Sequence, residues 1–376
     1  MKRIIITVFI LLLIFSVAAC SNTAAPQDSA SAANSGGVGA SAAIASASAS
    51  ASATKAGNIS PTTGLPGNTK YRPVQVQIDN EPTGRPQFGI QAADIVYEAM
   101  IEGLDTRLSA IFNDNLPEKV GPVRSSRVYF QWIQNEWDSI YIHDGGPYVA
   151  GFTKSYIYSP ENGGDMKVRI DGGKGPSQEI FWHVTKDFAY SNVKAAVDKF
   201  DYKRTERDPM FAFNANVDYS KYPDVEKVDI PFISTDITHV EYRYNKSSDK
   251  FERYCFGKAF LDAETEKAIE VQNVIVEYVT YAPLPNEGGR VTQGIVGSGK
   301  AEFFVGGKHM TGTWKKADRN AGTVYKLDDG SELVLKPGNT WIAMQPDSKN
   351  IVTTNADGTT YPTNGKSTTA SASAKK

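Results

Sequence analysis

Ser125-Ser126-Arg127-Val128-Tyr129-Phe130-Gln131-Trp132-Ile133-Gln134-Asn135-Glu136-Trp137 is the stretch on which the fold turns. Apolar Val128, Trp132 and Ile133 fall at helical spacing, and Ser125 offers a hydroxyl to cap the first turn, so the segment predicts a helix. Gly121-Pro122-Val123 before it is a turn. Upstream, Arg107-Leu108-Ser109-Ala110-Ile111-Phe112 is strand-like; downstream, Ser139-Ile140-Tyr141-Ile142-His143 is a strand that stops at Asp144-Gly145-Gly146-Pro147. Strand, helix, strand in that order predicts an α/β unit with a crossover. Val74, Val76 and Ile78 alternate with Gln75 and Gln77 in a further strand ending at Asp79-Asn80. The stretch 93–101 reads equally as helix or strand.

Beyond about Tyr222 short apolar runs alternate with Gly, Asp, Asn and Lys turns, and Asp328-Asp329-Gly330 is a hairpin turn, because Asp and Gly tolerate positive φ. The expected fold is therefore an α/β N-terminal domain, residues 66–225, followed by a smaller β-rich C-terminal domain, residues 235–348.

Outside these domains the chain is an address and its linkers. Lys2 and Arg3 precede an apolar run from Ile4 to Val17 that ends in Val17-Ala18-Ala19-Cys20. The pattern is a secretory signal over residues 1–19 with a lipobox, in which Cys20 is linked to diacylglycerol and becomes the mature N-terminus. The run is shorter than the roughly 20 apolar residues of a membrane span. Residues 20–65, with the repeat from Ala45 to Ser52, hold too little apolar surface to offset their ordering entropy and read as a disordered Ala/Ser-rich tether. Residues 349–376 read as a polar tail.

The composition fits an extracytoplasmic lipoprotein of the cell membrane. Lys+Arg 40 against Asp+Glu 42 leaves a formal charge of −2, without the basic excess of a nucleic-acid binder. Loss of Lys2 and Arg3 with the signal takes this to −4, so acyl chains such as palmitate must hold the membrane, at about 0.8 kcal/mol per buried CH₂. Two cysteines exclude a disulfide scaffold. Cys255, between Tyr254 and Phe256, reads as a small core residue.

Several motifs together carry a family resemblance. Arg72-Pro73-Val74, Ile78-Asp79-Asn80, Arg85-Pro86-Gln87, Ala93-Asp94-Ile95-Val96-Tyr97-Glu98-Ala99, Thr106-Arg107 and Gly121-Pro122-Val123-Arg124-Ser125-Ser126-Arg127 resemble the YerB-like bacterial lipoproteins. Gly297-Ser298-Gly299-Lys300, Gly312-Thr313-Trp314 and Leu335-Lys336-Pro337-Gly338-Asn339-Thr340-Trp341-Ile342 look like that family's smaller C-terminal domain. The resemblance covers about residues 70–346 and implies a two-domain envelope lipoprotein with a domain of unknown function; it brings no catalytic residue.

The sharpest chemical constellation is Arg124-Ser125-Ser126-Arg127 at the start of the expected helix. Two guanidinium forks and two hydroxyls at the positive end of a helix dipole suit a phosphate or carboxylate. Asp79-Asn80 and His143-Asp144 each follow an expected strand, and with Arg107 they would share one sheet edge with the Arg turn if the sheet is parallel. Candidate ligand-binding residues are thus Asp79, Asn80, Arg107, Arg124, Ser125, Arg127, His143 and Asp144. The alternative is a structural network in which the arginines pair with Glu98, Glu102 or Asp94. Glu98 and Glu102 are candidate acid/base residues only on a helix, where they would lie about 6 Å apart along the axis, near the spacing of a retaining glycosidase pair; on a strand they would be about 13 Å apart.

Other motifs fail. Gly294 to Lys300 imitates a phosphate loop, but Ala301 stands where Ser or Thr is needed and a strand follows. Ser191-Asn192-Val193-Lys194 and Ser247-Ser248-Asp249-Lys250 lack a Lys-Thr-Gly companion. The four histidines have no ligand spacing between any two, so neither metal nor other cofactor is expected. Three functions remain open: a binding or scaffold lipoprotein engaging an anionic or glycan ligand, a cell-wall polymer or an envelope protein; a wall-active enzyme cleaving glycan or transferring a phosphate-linked glycopolymer; and a purely structural module.

Overall fold

The computed structural model describes residues 59–143 except Asn68, the short strands Ile157–Tyr158, Trp182–Val184 and Ala189–Ser191, residues 193, 194 and 197, and residues 205–363 except 234–237 and 285–288. The signal, Cys20, most of the expected tether and Asp144 lie outside the described residues.

Strands dominate. In chain order the principal ones are β1 (Val74–Asp79), β2 (Ile95–Met100) and β3 (Thr106–Phe112), then helix α1 (Val128–Trp137) and β4 (Ile140–Ile142). The second half adds β5 (Lys227–Ile230), β6 (Val240–Asn245), β7 (Lys250–Cys255), β8 (Asn273–Val279), β9 (Gly297–Val305), β10 (Lys308–Lys316), β11 (Val324–Leu327), β12 (Thr340–Pro346), β13 (Ile351–Thr354) and β14 (Thr360–Thr363).

A ten-stranded mixed sheet runs in the order β11-β10-β9-β8-β12-β2-β3-β1-β4, closed by Ile157–Tyr158. Strands β12 and β2 pair in parallel, Ile342 opposite Tyr97, so this sheet crosses the expected boundary near residues 222–235 without a break. A seven-stranded sheet contains β7, β6, β5, β13 and β14 in that order.

The expected α/β N-terminal domain does not form. β3 is antiparallel to β1, which is parallel to β4, so α1 does not join two parallel neighbours. The N-terminal half is β-rich like the rest, and α1 is the longest helix among the described residues. Its start is also displaced. Asp79 N–H bonds Pro122 O at 2.8 Å and Arg124 N–H bonds Gln77 O at 2.9 Å, which keeps the chain extended through Arg127. Arg127 is the N-cap, without a side-chain cap bond, so Ser125 is not the cap.

Strand alternation sorts the core into two layers. Val74, Val76, Ile78, Leu108, Ala110 and Trp341 face the seven-stranded sheet, where Val228, Ile230, Tyr242 and Phe251 meet them. On the opposite face Ile95, Tyr97, Ile111 and Ile342 pack against Tyr129, Phe130, Ile133 and Trp137 of α1. All six residues of β2 are buried, because both faces are covered. That is why 93–101 shows neither period clearly, and it settles as strand.

The ends of the body differ from their sequence reading. In the stretch read as tether, the Thr62 hydroxyl donates to Asp94 at 2.6 Å, Ser60 and Thr63 donate to Asp114 at 2.7 and 2.6 Å, and Gly338 N–H bonds Thr63 O at 2.8 Å. In the stretch read as polar tail, β13 and β14 pair as a hairpin, Ile351 opposite Thr363, so the body continues to Thr363.

Gly312 in β10 shows how closely the edge of the large sheet is built. A Cβ there would lie 2.0 Å from the Lys326 carbonyl oxygen of β11. Gly312→Ala is expected to destabilise by about 1–3 kcal/mol through displacement of β11, measurable in a denaturant melt.

Candidate functional site

The same alternation divides the candidate residues between the two faces of the large sheet. In β1, Gln75, Gln77 and Asp79 point away from the aliphatic set, as do Arg107 and Ser109 in β3. They lie on the side that α1 covers, where Asp79 stands opposite Arg107 in register. Asp79 is wholly buried and its Oδ2 accepts from Arg124 Nε at 2.8 Å; the Arg124 side chain is 37% exposed. Arg107 is 5% exposed, and burial lowers its pKa. Its Nη1 donates to Ser125 O at 2.9 Å, while Nε has no protein partner. Next to them the Tyr141 hydroxyl bridges Gln77 Oε1 at 2.6 Å and Ser126 Oγ at 2.7 Å, and the His143 ring lies tilted against that of Tyr141, with centroids 4.6 Å apart.

Arg127 takes a different partner. Its Nε donates to Glu102 Oε2 at 2.8 Å, Nη2 donates to Glu102 Oε1, and Nη1 donates to Ser126 O at 2.6 Å. Asp105, after the turn that carries Glu102, has a pKa raised by burial.

Glu98 belongs to the opposite face and to another network. It lies between the two sheets, fully buried, and receives Arg253 Nη2 of β7 at 3.0 and 2.9 Å on its two oxygens. Oε1 also accepts from Asn80 at 3.1 Å and from Thr106 at 2.9 Å, and Oε2 accepts from the Trp341 indole at 3.1 Å. Arg253 is sandwiched at 4.0 Å from the Phe260 ring centroid and 4.7 Å from that of Trp341. Asn80 is thereby drawn away from Asp79, its chain neighbour.

The structure brings together Asp79, Arg107, Arg124 and Ser125, places His143 beside the adjacent Tyr141, and gives Arg127 to Glu102. Glu98 and Glu102 do not form a carboxylate pair: one is on a strand inside the sandwich, the other on a 3-10 turn held by Arg127. With both oxygens engaged by buried donors, Glu98 has no lone pair open to a substrate. Sequence reasoning missed Arg253, Thr106, Trp341, Gln77 and Tyr141. Arg253 carried one signal, since it shares the inward phase of Phe251 and Cys255 in β7.

Relatives place this arrangement in a family. Residues 62–209 match the model for the N-terminal domain of a protein of unknown function (DUF3048), and residues 228–342 match that for its C-terminal domain. A Bacillus subtilis (strain 168) relative carrying the name lipoprotein YerB is 31% identical over 299 residues, 77% of this chain and 86% of its own length. The crystal structure of the YerB protein from Bacillus subtilis is similar with a TM-score of 0.63 at 30% identity, covering 77% of this chain and 96% of that one. With both domain models matched in order, and a relative aligned over most of its length, the chain belongs to the DUF3048 family.

Proposed function

We propose that the protein is a lipid-anchored binding protein of the cell envelope, held to the membrane through Cys20, and that Arg107, Arg124 and Ser125 form its site for an anionic group of a wall polymer. The observation that carries this reading is the Arg107 guanidinium, almost wholly buried, with its Nε unpartnered and no carboxylate within ion-pair distance among the described residues. Burying such a cation is costly unless an anion compensates it. Asp79 fixes Arg124 beside it through Nε, which leaves the outer edge of that fork facing solvent. Asp105 and Glu81 act on Arg107 only beyond ion-pair distance, so the guanidinium edges left without a carboxylate contact are what a phosphate or carboxylate would engage.

Binding of the full chain to purified walls tests this. Walls that keep their phosphate polymer are expected to retain the protein, and walls stripped of it to release it. Arg124→Ala is expected to weaken retention about tenfold or more, the value of one charge-assisted hydrogen bond, and salt to weaken it further. Equal retention of wild type and Arg124→Ala on both wall preparations would remove the site from consideration.

A further inference from the structure

A second group of chemistry-bearing side chains lies on the smaller sheet, away from that site. Asp229 of β5 and Glu241 of β6 stand directly opposite each other in antiparallel register. Their neighbours Val228, Ile230, Val240 and Tyr242 fill the core between the sheets, so Asp229 and Glu241 leave from the outer face. His239, two residues before Glu241, returns to the same face. One oxygen from each carboxylate and one imidazole nitrogen all lie within 4.8 Å of one another, and Asp229 Oδ1 is 3.1 Å from His239 Nε2.

We propose that Asp229, His239 and Glu241 form a binding site for a first-row divalent cation of the zinc type. The donor set decides the class: an imidazole nitrogen with two carboxylate oxygens suits Zn²⁺, whereas Mg²⁺ and Ca²⁺ take oxygen ligands. At metal–ligand distances of 2.0–2.2 Å, ligand atoms in a tetrahedral site are about 3.3–3.6 Å apart. The Asp229–His239 separation is already near this, and the Glu241 oxygen, within 4.8 Å of both, needs to move by no more than about 1.5 Å to match it. Three protein ligands leave a fourth position for water or an exogenous group.

The flanking cations are the competitors of the metal. Lys227 Nζ holds Asp229 Oδ2 at 3.0 Å, and Arg243 Nη2 holds Glu241 Oε2 at 2.6 Å. They occupy Asp229 Oδ2 and Glu241 Oε2 and leave Asp229 Oδ1 and Glu241 Oε1 for a metal, so they orient the carboxylates while opposing a further positive charge. Both side chains are more than a third exposed and free to swing toward water, and Arg243 keeps a second contact over the Tyr254 ring at 3.9 Å. The four histidines show no ligand spacing among themselves because two of the three ligands here are carboxylates, one of them from a neighbouring strand.

Calorimetric titration of the chelator-treated full chain with Zn²⁺ tests the site. One equivalent is expected to bind in the presence of excess Mg²⁺. His239→Ala and Asp229→Asn are each expected to weaken binding about tenfold or more, with an unchanged circular dichroism spectrum. Lys227→Met is expected to tighten it, an effect that a mere ion-pair cluster has no means to produce. Absence of zinc binding, or binding that His239→Ala leaves unchanged, overturns the proposal.

Discussion

Replacement of Arg253 by alanine is expected to cost about 3–5 kcal/mol of stability, a large part of the 5–15 kcal/mol typical of a folded domain. The substitution leaves the Glu98 carboxylate fully buried with its charge uncompensated, and it opens a void between Phe260 and Trp341. Asn80, Thr106 and Trp341 would still donate to Glu98, but neutral donors do not replace a cation in a low-dielectric interior. The double variant Glu98→Gln with Arg253→Met is expected to recover much of the loss, since Gln still accepts from Asn80 and Thr106 and no charge remains. Chemical denaturation of Glu98→Gln, Arg253→Met, the double variant and wild type forms the cycle. An Arg253→Ala protein as stable as wild type would show that the pair does not join the sheets energetically.

Melting temperature is expected to fall as pH rises from about 5 to about 8, the reverse of what paired carboxylates give. Burial, aided by the nearby Asp114 charge, raises the Asp94 pKa from 3.8 to about 8, against the lowering effect of the Thr62 hydroxyl and the Asn113 and Asp114 N–H groups. Burial likewise raises Glu277 from 4.5 to about 7, with Tyr325 opposing. In both cases the folded state keeps a proton that the unfolded chain has released. The stability contributed by the protonated acids is whole below the unfolded pKa values and is lost as pH climbs to the folded ones. Each group has a limiting slope of about 1.4 kcal/mol per pH unit. Asp94→Asn is expected to flatten the profile up to pH 8, and Glu277→Gln only up to about pH 7. A wild-type profile already flat between pH 5 and 8 would refute both assignments.

The sequence made some of this legible and hid the rest for identifiable reasons. Alternation exposed β1; the Arg and Ser residues after Pro122 do lie beside Asp79 and Arg107, but through an antiparallel strand pair and not along the edge of a parallel sheet. Alternation failed at β2, because a strand covered on both faces loses the two-residue period. The helix of the N-terminal half was found, but one helix crossing between antiparallel strands looks locally the same as the crossover of an α/β unit. Ile351-Val352-Thr353-Thr354 is a run of β-branched residues, a strand signal outweighed by the polar composition around it. Arg253 meets Glu98 across 155 residues of chain, a pairing that topology alone could supply.

The hydroxyl clamp of Ser60, Thr62 and Thr63 sets how the body answers a mechanical load. A pull on the chain preceding Ile59 reaches Asp94 and Asp114 first, beside the inner strands β2 and β3. Asp94 O also receives Thr340 N–H of β12 at 2.9 Å. Tension therefore enters the large sheet at its middle, where strands from both halves of the chain share it, and not at the edge strand β11, which could peel away singly.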